Sequence, residues 1–165
     1  MKTPSLEDYQ FYASGCVRCS NCKFMEHLWM KSARFGKQCP INVRYAFNLY
    51  SAPGLLHAAL AVQDKKLEFT PRLLDALYQC PSCGACDIRC KRNLDLEVLG
   101  VIEALKVRAV EEGKSPAEHR ALADTVSKSR NIYGGPNENR RRWLTKEIKP
   151  APQAEVEHQA ASRSA

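Results

Sequence analysis

The sequence predicts an all-α fold, and three observations carry that expectation. Apolar residues recur at helical spacing, capping residues and prolines stand where such stretches begin, and no segment alternates polar and apolar residues for a useful length. The expected helices are short, and loops rich in cysteine separate them. With 165 residues the chain suits one globular domain and an end segment rather than two full domains. That domain is expected over residues 1–113, with a helical extension over 114–148 and a disordered tail over 149–165.

Taken in order, Val43 to Leu49 and Leu55 to Val62 read as two helices split by Ala52-Pro53-Gly54. Thr70 caps a helix that starts at Pro71 and runs through Gln79, with Leu73, Leu74, Leu77 and Tyr78 as its buried stripe. That helix delivers the chain into Cys80. Asp95 is the expected N-cap of a helix through Glu112, with Val98, Leu99, Ile102, Leu105 and Ala109 on one face and Gly113 as its stop. Ser115-Pro116-Ala117-Glu118 fits a capping box that opens a helix toward Arg130, in which Leu122 and Val126 face inward. Asn131 and Gly134-Gly135-Pro136 end it. From Lys149 onward no aromatic residue remains, so the tail cannot bury enough surface to order itself.

Hydrophobic residues at 44% and charged residues at 26% exclude a collagen-like or wholly disordered chain. Met1 to Gln10 holds Glu7 and Asp8 and no apolar run of the kind a secretion signal needs, so a cytoplasmic location is expected. The longest apolar stretches, such as Leu55 to Val62, are too short to cross a hydrocarbon layer of roughly 30 Å. A link to a membrane then has to run through a partner.

The eight cysteines form two groups: Cys16, Cys19 and Cys22 with a distant Cys39-Pro40, and Cys80, Cys83 and Cys86 with Cys90. Three thiolates spaced by three residues on a curling loop each reach a different iron of one cubane, and a fourth comes from farther away. Both groups resemble the ferredoxin-type run, in which the fourth cysteine serves the other cluster. That resemblance implies two [4Fe–4S] clusters, the first on Cys16, Cys19, Cys22 and Cys90, the second on Cys80, Cys83, Cys86 and Cys39. Each such cluster with its thiolates carries about −2, which lowers the formal net charge of +7 to about +3. The basic excess therefore reads largely as counter-charge, and a protein partner is expected rather than nucleic acid.

Other readings of the cysteines compete. A disulfide scaffold fits poorly with a chain that lacks a signal peptide and has a substantial apolar core. Structural zinc takes four ligands, usually as cysteine pairs, and leaves the third cysteine of each triplet surplus. It remains the alternative, as a zinc-stabilised interaction or nucleic-acid-binding module. The radical enzymes that use S-adenosylmethionine have a wider first gap in their triplet.

Cys80-Pro81-Ser82-Cys83-Gly84-Ala85-Cys86-Asp87-Ile88-Arg89-Cys90, preceded by Thr70-Pro71-Arg72 and followed by the helix from Leu94 to Glu112, resembles the α-helical ferredoxin domain. It resembles in particular the small iron–sulfur subunit of heterodisulfide reductases and related oxidoreductases. Asn131-Ile132-Tyr133-Gly134 with Arg142-Trp143 is similar to the connector that joins this domain to a cysteine-rich catalytic domain in those proteins, so the resemblance covers about residues 10 to 145. It implies electron transfer within a complex, with no catalytic residue on this chain. The implied partners are a catalytic subunit with a cysteine-rich (CCG-type) domain, a flavoprotein subunit, and a membrane cytochrome reached through the complex.

Two departures from the family stand out. Sixteen residues lie between Cys22 and Cys39 where the family has three, and Lys91 replaces the proline expected after Cys90. The Lys91 ammonium is expected to favour the reduced cluster, and Arg18, Lys23 and Arg89 are the other nearby cations expected to tune the potentials. The inserted Met25 to Gln38 reads either as a solvated helix over the first cluster or as a partner-docking helix using Trp29 and Phe35. Arg140, Arg141 and Arg142 suit a partner contact. His27, His57, His119 and His158 show no spacing that suggests ligation and read as surface or packing residues. No nucleophile with a base, no framed carboxylate pair and no phosphate loop is present.

Overall fold

The structure, a computed structural model, describes residues 5–24 and 36–138. Among these residues the regular elements are seven α-helices and one 3₁₀ turn, with a single isolated bridge between Phe24 and Lys37. The all-α expectation holds. The chain divides into two compact units, Met1–His119 and Arg120–Ala165. The expected tail, Arg140 to Trp143, His27, His158 and residues 25–35 of the insertion lie outside the described residues.

In the first unit a 3₁₀ turn over Glu7–Tyr9 leads into α1 (Gln10–Ser14), which the sequence reading did not anticipate. Next comes α2 (Pro40–Tyr45), three residues earlier than expected, because Pro40 has the fixed φ of a first helical position behind an extended Cys39. It ends where Ala46 turns left-handed at φ 50°, so Phe47 to Leu49 are turn rather than helix. Ala52-Pro53-Gly54 is likewise not a break: these residues form the first turn of α3 (Ala52–Gln63). A Cβ on Gly54 would lie 2.2 Å from the Asn48 carbonyl oxygen, so only glycine lets the helix start against that turn.

The expected capped helix is α4 (Pro71–Tyr78), where the Thr70 hydroxyl accepts the Leu73 N–H at 3.3 Å. After it, α5 (Ala85–Leu94) takes in the second half of the cysteine run, and α6 (Val98–Glu111) follows. Asp95 does not cap α6. It sits at φ 53° and closes α5 instead, while the Asp87 carboxylate on α5 accepts the Leu99 N–H at 2.9 Å and so caps α6 from a neighbouring helix.

The core lies where α3 packs on α6, with α1 against both and α4 and α5 along α6. Leu55, Leu56, Val98, Val101, Ile102 and Leu105 are fully buried there. Burial of such side chains stabilises by about 1.5–3 kcal/mol each. Ala109 belongs to the same cluster, so the face expected for α6 is the face it buries. Among the described residues no helix is long and apolar enough to cross a membrane.

The last helix, α7 (Ala117–Ser129), stops one residue short of Arg130. Leu122 and Val126 do not face inward as expected; both are exposed. In the second unit the Asn131 side chain organises the turn that follows α7: its Oδ1 accepts the Tyr133 N–H at 3.0 Å and its Nδ2 donates to the Gly135 carbonyl at 2.9 Å. Tyr133 is 91% exposed at the tip of that turn.

Candidate metal centres

The two triplets share a backbone form. In the first loop Arg18 and Ser20, on either side of Cys19, sit in the left-handed region at φ 55° and 66°. In the second, Ser82 and Gly84 on either side of Cys83 sit at 52° and 74°. Left-handed residues within a tight turn aim successive N–H groups into one concavity, the form of anion nest used at iron–sulfur and phosphate sites. Three of the four are not glycine, and each costs about 1–2 kcal/mol relative to ordinary backbone.

The insertion does not displace Cys39. The chain leaves at Phe24 and returns at Lys37 across their bridge, and the Lys23 carbonyl accepts the N–H of Gln38 at 2.8 Å and of Cys39 at 3.4 Å. Cys39 is thereby held at the backbone of Lys23, the residue after Cys22. Gln38 then reaches the other half of the site, where its Nε2 donates to the Ala85 carbonyl at 2.7 Å.

Four of the thiols are shifted by their surroundings. Burial pushes the Cys22 thiol up to about 12, with further upward push from Cys90, Cys16 and Cys19 in that order. Cys90 is pushed up to about 11 by burial and then by Cys19 and Cys16. Cys86 reaches about 12 through burial and the neighbouring Cys80, Cys22, Cys83 and Cys39. Burial also raises Cys39, opposed by the N–H groups of Asn42 and Ile41 at the start of α2, with Cys80 and Cys83 as neighbours. Cys22 and Cys90 thus have Cys16 and Cys19 as neighbours, Cys39 has Cys80 and Cys83, and Cys86 has a thiol of the first group, Cys22, beside it as well as Cys80, Cys83 and Cys39. Cys39, Cys80, Cys83 and Cys86 line one cavity, walled by Ala52, Leu99 and Ile102. Cys86 and Cys90 stand four residues apart on α5.

Polar partners hold the loops. The Arg18 Nε donates to the His57 Nε2 at 2.8 Å, tying the first loop to α3. Burial and then the Arg18 charge lower the His57 pKa, which keeps the ring a neutral acceptor. The sequence reading took His57 for a surface or packing residue and missed this role, whose partner lies 39 residues away. The Lys106 Nζ on α6 donates to the Cys80 carbonyl at 2.8 Å and the Ser82 hydroxyl at 2.9 Å. Lys91, whose ammonium is expected to favour the reduced cluster, is held in ion pairs. It pairs with Glu97 at 2.9 Å and Asp87 at 3.3 Å, which neutralises much of its charge. Lys23 donates to Asn48 at 2.5 Å, and His119 packs its ring edge-to-face on Tyr78 at 5.0 Å.

These residues fit iron–sulfur clusters. Sulfur is the donor type such clusters require, and the chain supplies eight free thiols. Arg89, between Cys86 and Cys90, has buried Nε and Nη2 atoms with no partner among the described residues. A buried cation calls for an anion, and a thiolate-bound cluster is one. Among the described residues no three His, Cys, Asp or Glu side chains meet closely enough to hold one ion. Corner ligation does not require it, since each thiolate binds a different iron.

No curated protein and no solved structure matches the chain. Residues 12–94, half of the sequence and the part that holds all eight cysteines, match the family described as the 4Fe-4S dicluster domain. With eight free thiols, two matching nests and that match, the chain belongs to the 4Fe-4S dicluster domain family and its chemistry is iron–sulfur electron transfer.

Proposed function

We propose that this chain is the electron-relay subunit of a multi-subunit oxidoreductase resembling heterodisulfide reductase, and that it carries two [4Fe–4S] clusters. Cys16, Cys19, Cys22 and Cys90 hold the first, and Cys80, Cys83, Cys86 and Cys39 the second. When bound, each cluster supplies one-electron exchange between its 2+ and 1+ states. The observation that carries this reading is the cavity that Cys39 lines together with Cys80, Cys83 and Cys86, a triplet completed by a cysteine from the other half of the sequence.

The chain's own residues do the rest. Leu99, Ile102 and Ala52 keep water from the second cluster. Cys86 and Cys90 are separated by about 6 Å of helical rise, so α5 ties the two centres at short range. Each loop exposes its middle cysteine, Cys19 or Cys83, while the third, Cys22 or Cys86, is more buried. Exposure at both middle positions supports electrons arriving and leaving through docked proteins. The partners proposed are a catalytic subunit with a cysteine-rich domain and a flavoprotein, in the cytoplasm, with a membrane cytochrome at one end of the chain of carriers.

Anaerobic purification with iron, sulfide and zinc analysis tests this. The expected result is about eight irons and eight sulfides per chain and visible absorption that bleaches on reduction. Stoichiometric zinc in a colourless protein ends the reading. Co-purification from the native source tests the complex: recovery of the chain without a flavin or iron–sulfur partner removes the subunit assignment and leaves the carrier.

A further inference from the structure

We infer that Lys106 is a positioning residue for the second cluster and sets its reduction potential, by lending the second loop the cation that the first loop carries itself. The inference rests on the two-cluster reading. Arg18 and Ser82 occupy the same place in the two loops: each is two residues after the first cysteine, left-handed, and just before the exposed middle cysteine. In the first loop that place holds a guanidinium, anchored to His57 on α3. In the second it holds a neutral hydroxyl, and that hydroxyl accepts from the Lys106 ammonium at 2.9 Å. The same ammonium donates to the carbonyl of Cys80 at 2.8 Å. A cationic side chain thus fastens each loop through that position, once as the loop's own residue and once across from α6.

Lys106 is half-buried and Arg18 is exposed. A charge shielded from water acts more strongly on its neighbours than one in it, because the effective dielectric is lower. Reduction adds one electron to the centre and so one negative charge, which a nearby ammonium stabilises. Lys91, the lysine next to Cys90, contributes less, since Glu97 and Asp87 already pair with it. Among the described residues the bonding partners of Lys106 are the Cys80 carbonyl and the Ser82 hydroxyl, neither of them a carboxylate.

The test is a dithionite titration, followed by electron paramagnetic resonance, of the intact loaded chain and its Lys106→Gln, Lys106→Met, Lys106→Arg and Arg18→Gln variants. One of the two one-electron waves should move to lower potential in Lys106→Gln and Lys106→Met. The expected shift is on the order of tenfold in the reduction equilibrium, about 59 mV for a one-electron couple. Lys106→Arg should hold that wave near its original position, and Arg18→Gln should move the other wave by less. Glutamine keeps a donor for the loop without the charge, so it reports even if the methionine variant loses its cluster. Unmoved waves in Lys106→Gln, a shift in the wave that Arg18→Gln also moves, or loss of the cluster in all three Lys106 variants overturns the inference. Absence of acid-labile sulfide from the unmutated chain overturns instead the reading beneath it.

Discussion

The first and second cysteine loops are built on one backbone and held by different means, and the difference separates what the ligand set requires from what each loop improvises. Left-handed residues flank the middle cysteine in both. Support for the first comes from its own arginine pressed onto a histidine of α3, and from the bridge between Phe24 and Lys37. Support for the second comes from α6, which lends an ammonium, and from α5, which continues straight out of the loop. Backbone form and sulfur spacing are common to the two. Counter-charge and fastening are not.

The sharpest way to break the comparison is at the crossing. Cys90→Ser should cost the first centre and spare the second, so iron falls from about eight to about four per chain. Thiol alkylation read by mass spectrometry locates the loss: Cys16, Cys19 and Cys22 should label while Cys39, Cys80, Cys83 and Cys86 stay protected. Cys39→Ser should give the mirror result. Labelling of the Cys80 triplet in the Cys90 variant would mean that each loop keeps its own fourth sulfur.

Next in size is the response of the metal-free, reduced chain to alkali. Cys22, Cys86 and Cys90 have folded values of about 12, 12 and 11 against an ordinary 9.0. Above pH 9 the unfolded chain sheds these protons while the folded chain keeps them, so folding stability is fully present below about pH 9 and declines from there toward pH 12. The denaturation midpoint should therefore fall between pH 8 and pH 10.5. In the loaded protein the thiolates are already deprotonated and metal-bound, so the same slope should be absent. An equal slope in both forms would mean that these thiols are not the ligands.

Much of this site was legible in the sequence, and what was not has a common cause. The eight sulfurs, the Thr70 cap and the buried face of α6 were readable because spacing and capping are local. The expectation for Val43 to Leu49 failed because Pro40 and Ala46 fix the ends of α2 by backbone conformation. The second half of the cysteine run was taken for loop, yet Ala85 to Leu94 is helix, and Cys86 and Cys90 depend on it. The supports were invisible: Lys106 is 24 residues from Ser82, His57 is 39 from Arg18, and Asp87 is 12 from Leu99. Such pairs exist only after the chain has packed.

Asp87 offers a smaller test of the difference between the loops, because its carboxylate ties α5, the helix that leaves the second loop, to α6. Asp87→Ala removes the cap at Leu99 and one of the two partners of Lys91. The expected cost is about 1–2 kcal/mol of stability, by analogy with loss of an N-cap. Cluster loss on storage should quicken at the Cys80 centre before the Cys16 centre, which the two redox waves would report. Equal loss at both would place the role of Asp87 in the general core.

The smallest effect comes from the one place where the two loops differ in backbone chemistry alone. Ser20 and Gly84 hold the same position after the middle cysteine, at φ 66° and 74°. Glycine adopts that region freely and serine does not, so the first loop bears a strain that the second avoids. A Cβ at position 84 would meet nothing closer than the Leu99 Cδ2 at 3.8 Å, an ordinary contact, which leaves conformation as the only cost. Exchanging the residues separates conformation from side-chain chemistry. Ser20→Gly should change stability by less than about 1 kcal/mol, because the relief of strain is offset by the extra freedom glycine gives the unfolded chain. Gly84→Ser should cost about 1–2 kcal/mol and leave both clusters in place, since the first loop already folds with serine there. A Gly84→Ser chain that loses the second centre would show that the loops share φ values without sharing a tolerance for side chains, and that the first loop's bridge between Phe24 and Lys37 or its Arg18 anchor is what makes serine acceptable.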